Sequence, residues 1–204
     1  MAEKTIERRL TIEAFKIAER ANADGTKTRV LTGYAAKFNS MSCDLGGFKE
    51  RIIPGAFRSS LSSGCDVRAL CDHDPAKILA RTSEGTLRLR EDDQGLAIEA
   101  DLPDTSYARD LDANVVHKNV RGMSFGFCVP PDGERWTRDA ATDYAIRELT
   151  NIDLREVTAT SIPAYEATEL YVRVAPECAN RAAQMHVKPA LSQRQATLRR
   201  MLCE

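Results

Sequence analysis

Along most of this chain apolar and polar residues alternate with a period of two, the pattern of half-buried strands. Residues 10–17, Leu-Thr-Ile-Glu-Ala-Phe-Lys-Ile, predict one such strand. A second is expected over residues 29–38, entered after the turn signal Asp24-Gly25. A Ser- and Gly-rich loop, 39–47, then leads to a short apolar segment, 48–53. Pro54 suits the first turn of a short helix over 55–61, where its missing N–H is not needed. Residues 67–71 read as a strand stopped by Asp74-Pro75. Residues 77–81, 86–90 and 95–102 read as a meander. Asp104-Thr105-Ser106 offers a helix N-cap, and Tyr107, Leu111 and Val115 mark one face of a helix running to about Asn119. Strands are expected again at 123–129, 152–162 and 170–174. Trp136 and residues 144–149 suggest a hairpin between the first two. The elements come as meanders, without the strand–helix alternation of a parallel sheet. A mainly β fold with a few inserted helices, an antiparallel barrel or sandwich, is the natural class.

Composition narrows the function without naming it. The formal charge of −1 over 204 residues leaves no basic footprint for bulk nucleic-acid binding. No apolar run approaches the roughly 18 residues of a membrane span. The charged N-terminus lacks the apolar core of a secretory signal, so an intracellular protein is expected. Charge is not uniform, however. From Cys178 onward, Arg181, Lys188, Arg194, Arg199 and Arg200 face only Glu204. This predicts a domain over 1–175 and a basic tail, 176–204, that is flexible or weakly helical. The six cysteines are too dilute for a disulfide scaffold. A metal reading would group Cys65, Cys71 and His73, but C-x5-C-x-H does not match the usual knuckle spacing.

Residues 122–129 hold the most chemistry. Met123, Phe125, Phe127 and Val129 fall on one face of the strand, a core face. The other face carries Gly122, Ser124, Gly126 and Cys128, so a lone hydroxyl stands between glycines that tolerate close approach of another backbone. That suits a nucleophile facing a bound peptide; tight packing of two strands is the plain alternative. Of three histidines, His117 falls on a helix surface and His186 in the tail. His73, at a strand end between Asp72 and Asp74, is the one plausible general base. A third group would orient its imidazole. Glu156 and Asp153 are the candidates. Glu156 shares strand parity with Ile152 and Leu154, where an unpaired carboxylate would be costly to bury, and this favours it. Asp153 is adequately explained by a solvated pair with Arg155.

These residues sit in a series of blocks that resembles the prohead (capsid maturation) proteases of tailed bacteriophages. The blocks begin with Gly33-Tyr34-Ala35-Ala36-Lys37-Phe38-Asn39 and Gly47-Phe48-Lys49-Glu50-Arg51-Ile52-Ile53-Pro54-Gly55-Ala56-Phe57. His73-Asp74-Pro75, Gly85-Thr86-Leu87, Gly95-Leu96 and Met123-Ser124-Phe125-Gly126-Phe127 follow. Leu154-Arg155-Glu156-Val157-Thr158 and Ile162-Pro163-Ala164-Tyr165 close the series. The resemblance spans residues 6–174. It departs at Ala80, where Gly is expected before Arg81, and at Thr158, where Ser is common.

The resemblance implies an antiparallel barrel similar to herpesvirus assemblin and a serine endopeptidase with His73, Ser124 and Glu156 as its triad. A backbone N–H near Arg155 would serve the oxyanion. No metal or cofactor is implied. Partners would be the scaffold and the scaffolding segment of the major capsid protein, cut inside the prohead in the host cytoplasm. Self-cleavage, with the basic tail as its target, and a homo-oligomer are further expectations. The rival reading is a non-catalytic scaffolding or assembly protein enclosed in the prohead.

Overall fold

A computed structural model of the chain describes residues 5–11, 15–140 and 142–161, together with Cys178 and Arg181. The chain begins with β1 (Glu7–Thr11), β2 (Lys16–Ala21), β3 (Lys27–Lys37) and β4 (Phe48–Ile52). Helix α1 (Arg58–Ser62) leads to β5 (Arg68–Cys71) and β6 (Asp74–Arg81). β7 (Leu87–Glu91) and β8 (Gly95–Asp101) form a hairpin before α2 (Ser106–Val116). β9 (Gly122–Cys128), β10 (Glu134–Arg138), β11 (Ala145–Leu149) and β12 (Asp153–Thr160) complete the described elements.

The fold is mainly β with few helices. Among the described residues the strands form three sheets, of order β1-β9-β12-β5-β6, β2-β3-β8-β7 and β10-β11-β4. Each has two edges, so the expected closed barrel does not form from these residues. Nor is pairing wholly antiparallel: β12 runs parallel to β5, and β11 to β4. Side-chain alternation does not encode strand direction, so the parallel pairs left no mark in the sequence pattern.

The five- and four-stranded sheets bury a common core. Leu31, Leu96 and Ile98 from one meet Met123, Phe125, Phe127 and Val157 from the other. Phe57 packs edge-on against Phe125 at 5.7 Å, and Phe125 stacks on Phe127 at 5.1 Å. Each such buried ring contributes roughly 1.5–3 kcal/mol. Leu111 of α2 closes the same core.

Several expected boundaries move. The expected strand over 10–17 divides between two sheets: Leu10 and Thr11, in β1, belong to the five-stranded sheet, and Lys16 and Ile17, in β2, to the four-stranded sheet. Uniform alternation hid this change of sheet. The expected meander breaks likewise between β6 and β7, which lie on edges of different sheets. Helix α1 starts at Arg58, and Pro54 lies in the turns before it. Cys178 and Arg181 lie against the three-stranded sheet. Cys178 is buried in a cluster with Phe48 and Ala145, and Arg181 Nη1 donates to Glu134 Oε1 at 2.7 Å. The expected strand 170–174 and the rest of the expected tail fall outside the described residues.

The N-terminal strand is held by buried charge. Glu7, Arg9, Glu50 and Arg147 are each no more than 7% exposed. Arg147 bonds Glu7 through both Nη atoms, at 2.7 and 2.9 Å, and Arg9 Nε donates to Glu50 Oε1 at 2.6 Å. Two carboxylates and two guanidiniums satisfy one another there, as burial of charge requires. They tie β1 to β4 and β11 and so join two sheets.

Candidate active site

The face of β9 and β12 turned away from the core carries the candidate groups. Ser124 stands opposite Thr158 and Gly126 opposite Glu156. On the other flank of β9, Leu10 pairs with Ser124 and Arg8 with Gly126. Ser124 is only 3% exposed between these neighbours.

Glu156 reaches this face by a backbone irregularity. Leu154 pairs with Phe127 but Glu156 pairs with Gly126, leaving Arg155 as an extra residue in a β-bulge. Leu154 therefore points into the core, at 1% exposure, while Glu156 points away from it. The parity expected between Leu154 and Glu156 is thus broken, although the expected partner of Glu156 is the one found. The bare surface at Gly126 also has a different tenant from the bound backbone expected there. A Cβ at 126 would lie 2.7 Å from Glu156 Cγ and 2.9 Å from its Oε1. Glycine makes room for the carboxylate.

His73 is not at a strand end. Cys71 pairs with Asp74, so Asp72 and His73 are the two central residues of a β5–β6 hairpin. Both have positive φ, 48° and 58°, as a type I′ turn requires. Asp74-Pro75 starts β6 instead of stopping β5. Pro75 is tolerated because β6 is an edge strand. Left-handed backbone costs a non-glycine residue roughly 1–2 kcal/mol, and β12 offsets it with hydrogen bonds. The Asp72 N–H donates to the Ala159 carbonyl and the His73 N–H to Thr158 Oγ1, both at 3.0 Å. The Asp72 carboxylate accepts from the Ser161 N–H at 3.0 Å.

Pinned in this way, the His73 ring places Nδ1 2.6 Å from Glu156 Oε1. Nε2 is left as the ring nitrogen that a hydroxyl would address. Burial opposes the charge on Glu156. The hydrogen bond from His73, and the charges of His73 and Arg8, outweigh it and hold the carboxyl below its ordinary value. Asp153 lies apart from this pair, with its carboxylate 3.8 Å from Arg155 and partly exposed. Ser124 shares the sheet face but not a hydrogen bond with His73. The two are linked through Thr158, which faces Ser124 across the strands and accepts the His73 N–H.

Two neighbours escaped the sequence reading. Thr158, 1% exposed, also donates to the Leu70 carbonyl at 2.9 Å. Arg8 Nε donates to Glu156 Oε1 at 3.1 Å. The charged run around it carries no local signal of this contact; the alternation of burial along β1 emerges only in the folded structure. Among the described residues no group of three or more His, Cys, Asp or Glu side chains could hold a metal. Cys65 turns instead to Ser60, 3.3 Å from its hydroxyl.

The structure thus brings a carboxylate-held imidazole to the sheet that carries a strand serine on the same face as that carboxylate. The family model of the caudovirus prohead serine protease matches residues 15–182, and the chain belongs to that family. It is 33% identical over 147 residues to the prohead protease of Enterobacteria phage HK97, over 69% of this chain and 58% of that protein. The chain thus spans less than two thirds of that relative's length. Its fold is similar to that of the bacteriophage T4 capsid assembly protease, gp21, with a TM-score of 0.52. That likeness covers 79% of this chain and 99% of the other at 10% identity, and bears on fold alone.

Proposed function

We propose that this chain is a serine endopeptidase of capsid maturation in which Ser124 is the nucleophile, His73 the general base and Glu156 the group that orients His73. The contact of His73 Nδ1 with Glu156 Oε1, on the sheet face that carries Ser124, is the observation that supports this most. His73 takes the Ser124 proton as the hydroxyl oxygen adds to a peptide carbonyl. It returns that proton to the leaving amine, then activates the water that opens the acyl-enzyme. The negative carboxylate favours the imidazolium formed in between. A backbone N–H at the Arg155 bulge, where the β9–β12 ladder is interrupted, is the proposed oxyanion donor.

The proposed substrates are the scaffold and the scaffolding segment of the major capsid protein, cut within the assembling prohead, with the basic tail as a site of self-cleavage. Co-expression with the neighbouring capsid protein tests this. Trimming should occur with the wild type and stop in Ser124→Ala. Equal trimming in both would end the assignment of Ser124. An intact mass that retains residues 176–204 after assembly would end the self-cleavage proposal.

A further inference from the structure

We propose that Arg8 is a positioning residue for the site: from the N-terminal strand it fixes the carboxylate that orients His73. This rests on the triad reading above. Arg8 lies ahead of residues 15–182, the span that the family model matches.

Three strands make the device. Across the sheet, Arg8 on β1, Gly126 on β9 and Glu156 on β12 stand in one row. The middle position has no side chain, so the carboxylate of Glu156 lies across it and is reached from the far side. Arg8 Nε and His73 Nδ1 then address the same oxygen, Oε1, at 3.1 and 2.6 Å. A carboxylate bonded only to a histidine could still rotate. A second donor on the same oxygen from the opposite flank removes that freedom.

The register of β1 is what puts Arg8 there. Side chains alternate along a strand, and a slip of one residue would send Arg8 to the other face. Glu7 and Arg9 prevent this slip, because they are buried on the core face with Glu50 and Arg147. The side chain of Arg8 is itself 34% exposed, so its replacement opens no cavity. The charged groups around Glu156 are His73 from the β5–β6 turn, Arg8 from β1 and Arg68, opposite it in register on β5. Loss of Arg8 removes one of the charges that keep Glu156 ionised as pH falls.

The test uses the full chain and a fluorophosphonate probe, which needs no knowledge of the peptide substrate. Labelling rate is followed against pH, and the labelled peptide is located by mass spectrometry. Arg8→Gln should label Ser124 roughly tenfold more slowly, the scale of a small misplacement of a reacting group. Its loss of labelling on acidification should begin at higher pH than in the wild type. Arg8→Lys, which keeps the charge but not the planar fork, should recover part of both. An unchanged rate and pH profile in Arg8→Gln overturns the proposal. Failure of every Arg8 variant to give a cooperative melt also overturns it, since Arg8 would then serve folding. The underlying triad reading fails separately, if Ser124→Ala is labelled like the wild type.

Discussion

Gly126 and Glu156 stand opposite each other on β9 and β12, and the carboxylate side chain occupies the space a Cβ at 126 would need. The glycine is a seat for a charged group. Gly126→Ala should push Glu156 away from His73 while leaving the fold intact. We expect Ser124 labelling by a fluorophosphonate to slow on the order of 100-fold, with a stability loss of about 1–3 kcal/mol from overpacking. Labelling rates and urea melts on one preparation check both. A rate equal to wild type would mean the carboxylate position is irrelevant to the chemistry.

The choice between the two carboxylates is open to a direct comparison. Glu156 meets His73, whereas Asp153 meets Arg155. On the proposed roles, His73→Ala and Ser124→Ala should stop capsid-protein trimming alike, and Glu156→Gln should lower it strongly but less, as loss of an orienting carboxylate does. Asp153→Asn should leave trimming near the wild-type level. The reverse order would transfer the orienting role to Asp153.

The buried cluster around Arg147 predicts an asymmetry. Arg147→Met leaves the buried carboxylates of Glu7 and Glu50 with Arg9 as the remaining guanidinium of the cluster and should cost about 3–5 kcal/mol. A surface pair such as Lys27–Glu19 should cost less than about 1 kcal/mol when Lys27 is replaced by Met. Chemical denaturation of the two variants provides the measurement.

Acid should weaken the fold and the site through the same carboxylates. In Glu7 and Glu156 burial raises the carboxyl, but hydrogen bonds and charges from Arg147 and Arg9, and from His73 and Arg8, bring each below its ordinary value. The unfolded chain therefore binds more protons across the window between the two values. Stability from these groups is complete above the unfolded carboxylate value, about 4.3 for Glu. It is lost as pH falls through the depressed folded values. Urea midpoints of wild type and Glu156→Gln should thus converge on acidification. A gap that stays constant down to about pH 3, well below the ordinary Glu value, would contradict this.

The turn at His73 carries a backbone prediction independent of catalysis. At φ 58° glycine is at ease and alanine is not. His73→Gly and His73→Ala both lose the imidazole, and the glycine variant should be the more stable by about 1 kcal/mol. Thermal melts of the two variants decide it.

What the sequence revealed of this site depended on the range of the interaction. The two faces of β9 were legible because Met123, Phe125 and Phe127 alternate with Gly122, Ser124 and Gly126. The pairing of Glu156 with a histidine followed from the cost of burying charge, although the bulge at Arg155 removed the parity on which that cost was argued. The I′ turn was concealed because Asp72 and His73 are not the Asn-Gly or Asp-Gly pair that announces one. Strand direction, the division of residues 10–17 between two sheets, and Arg8 were out of reach. Each depends on partners far away along the chain, and local alternation says nothing of them.

The strand order β1-β9-β12-β5 has a consequence for how the protein comes into being. Arg8 and Glu156 are 148 positions apart, and His73 and Glu156 are 83 apart. During synthesis β1 leaves the ribosome early and must wait for β9, and the seat between them is filled only when β12 arrives. A nascent chain that stops short of β12 has no assembled site at all. Such late, long-range closure makes folding slow relative to helical proteins of the same size. It also means that the translating cell holds no partly made copy with this site assembled.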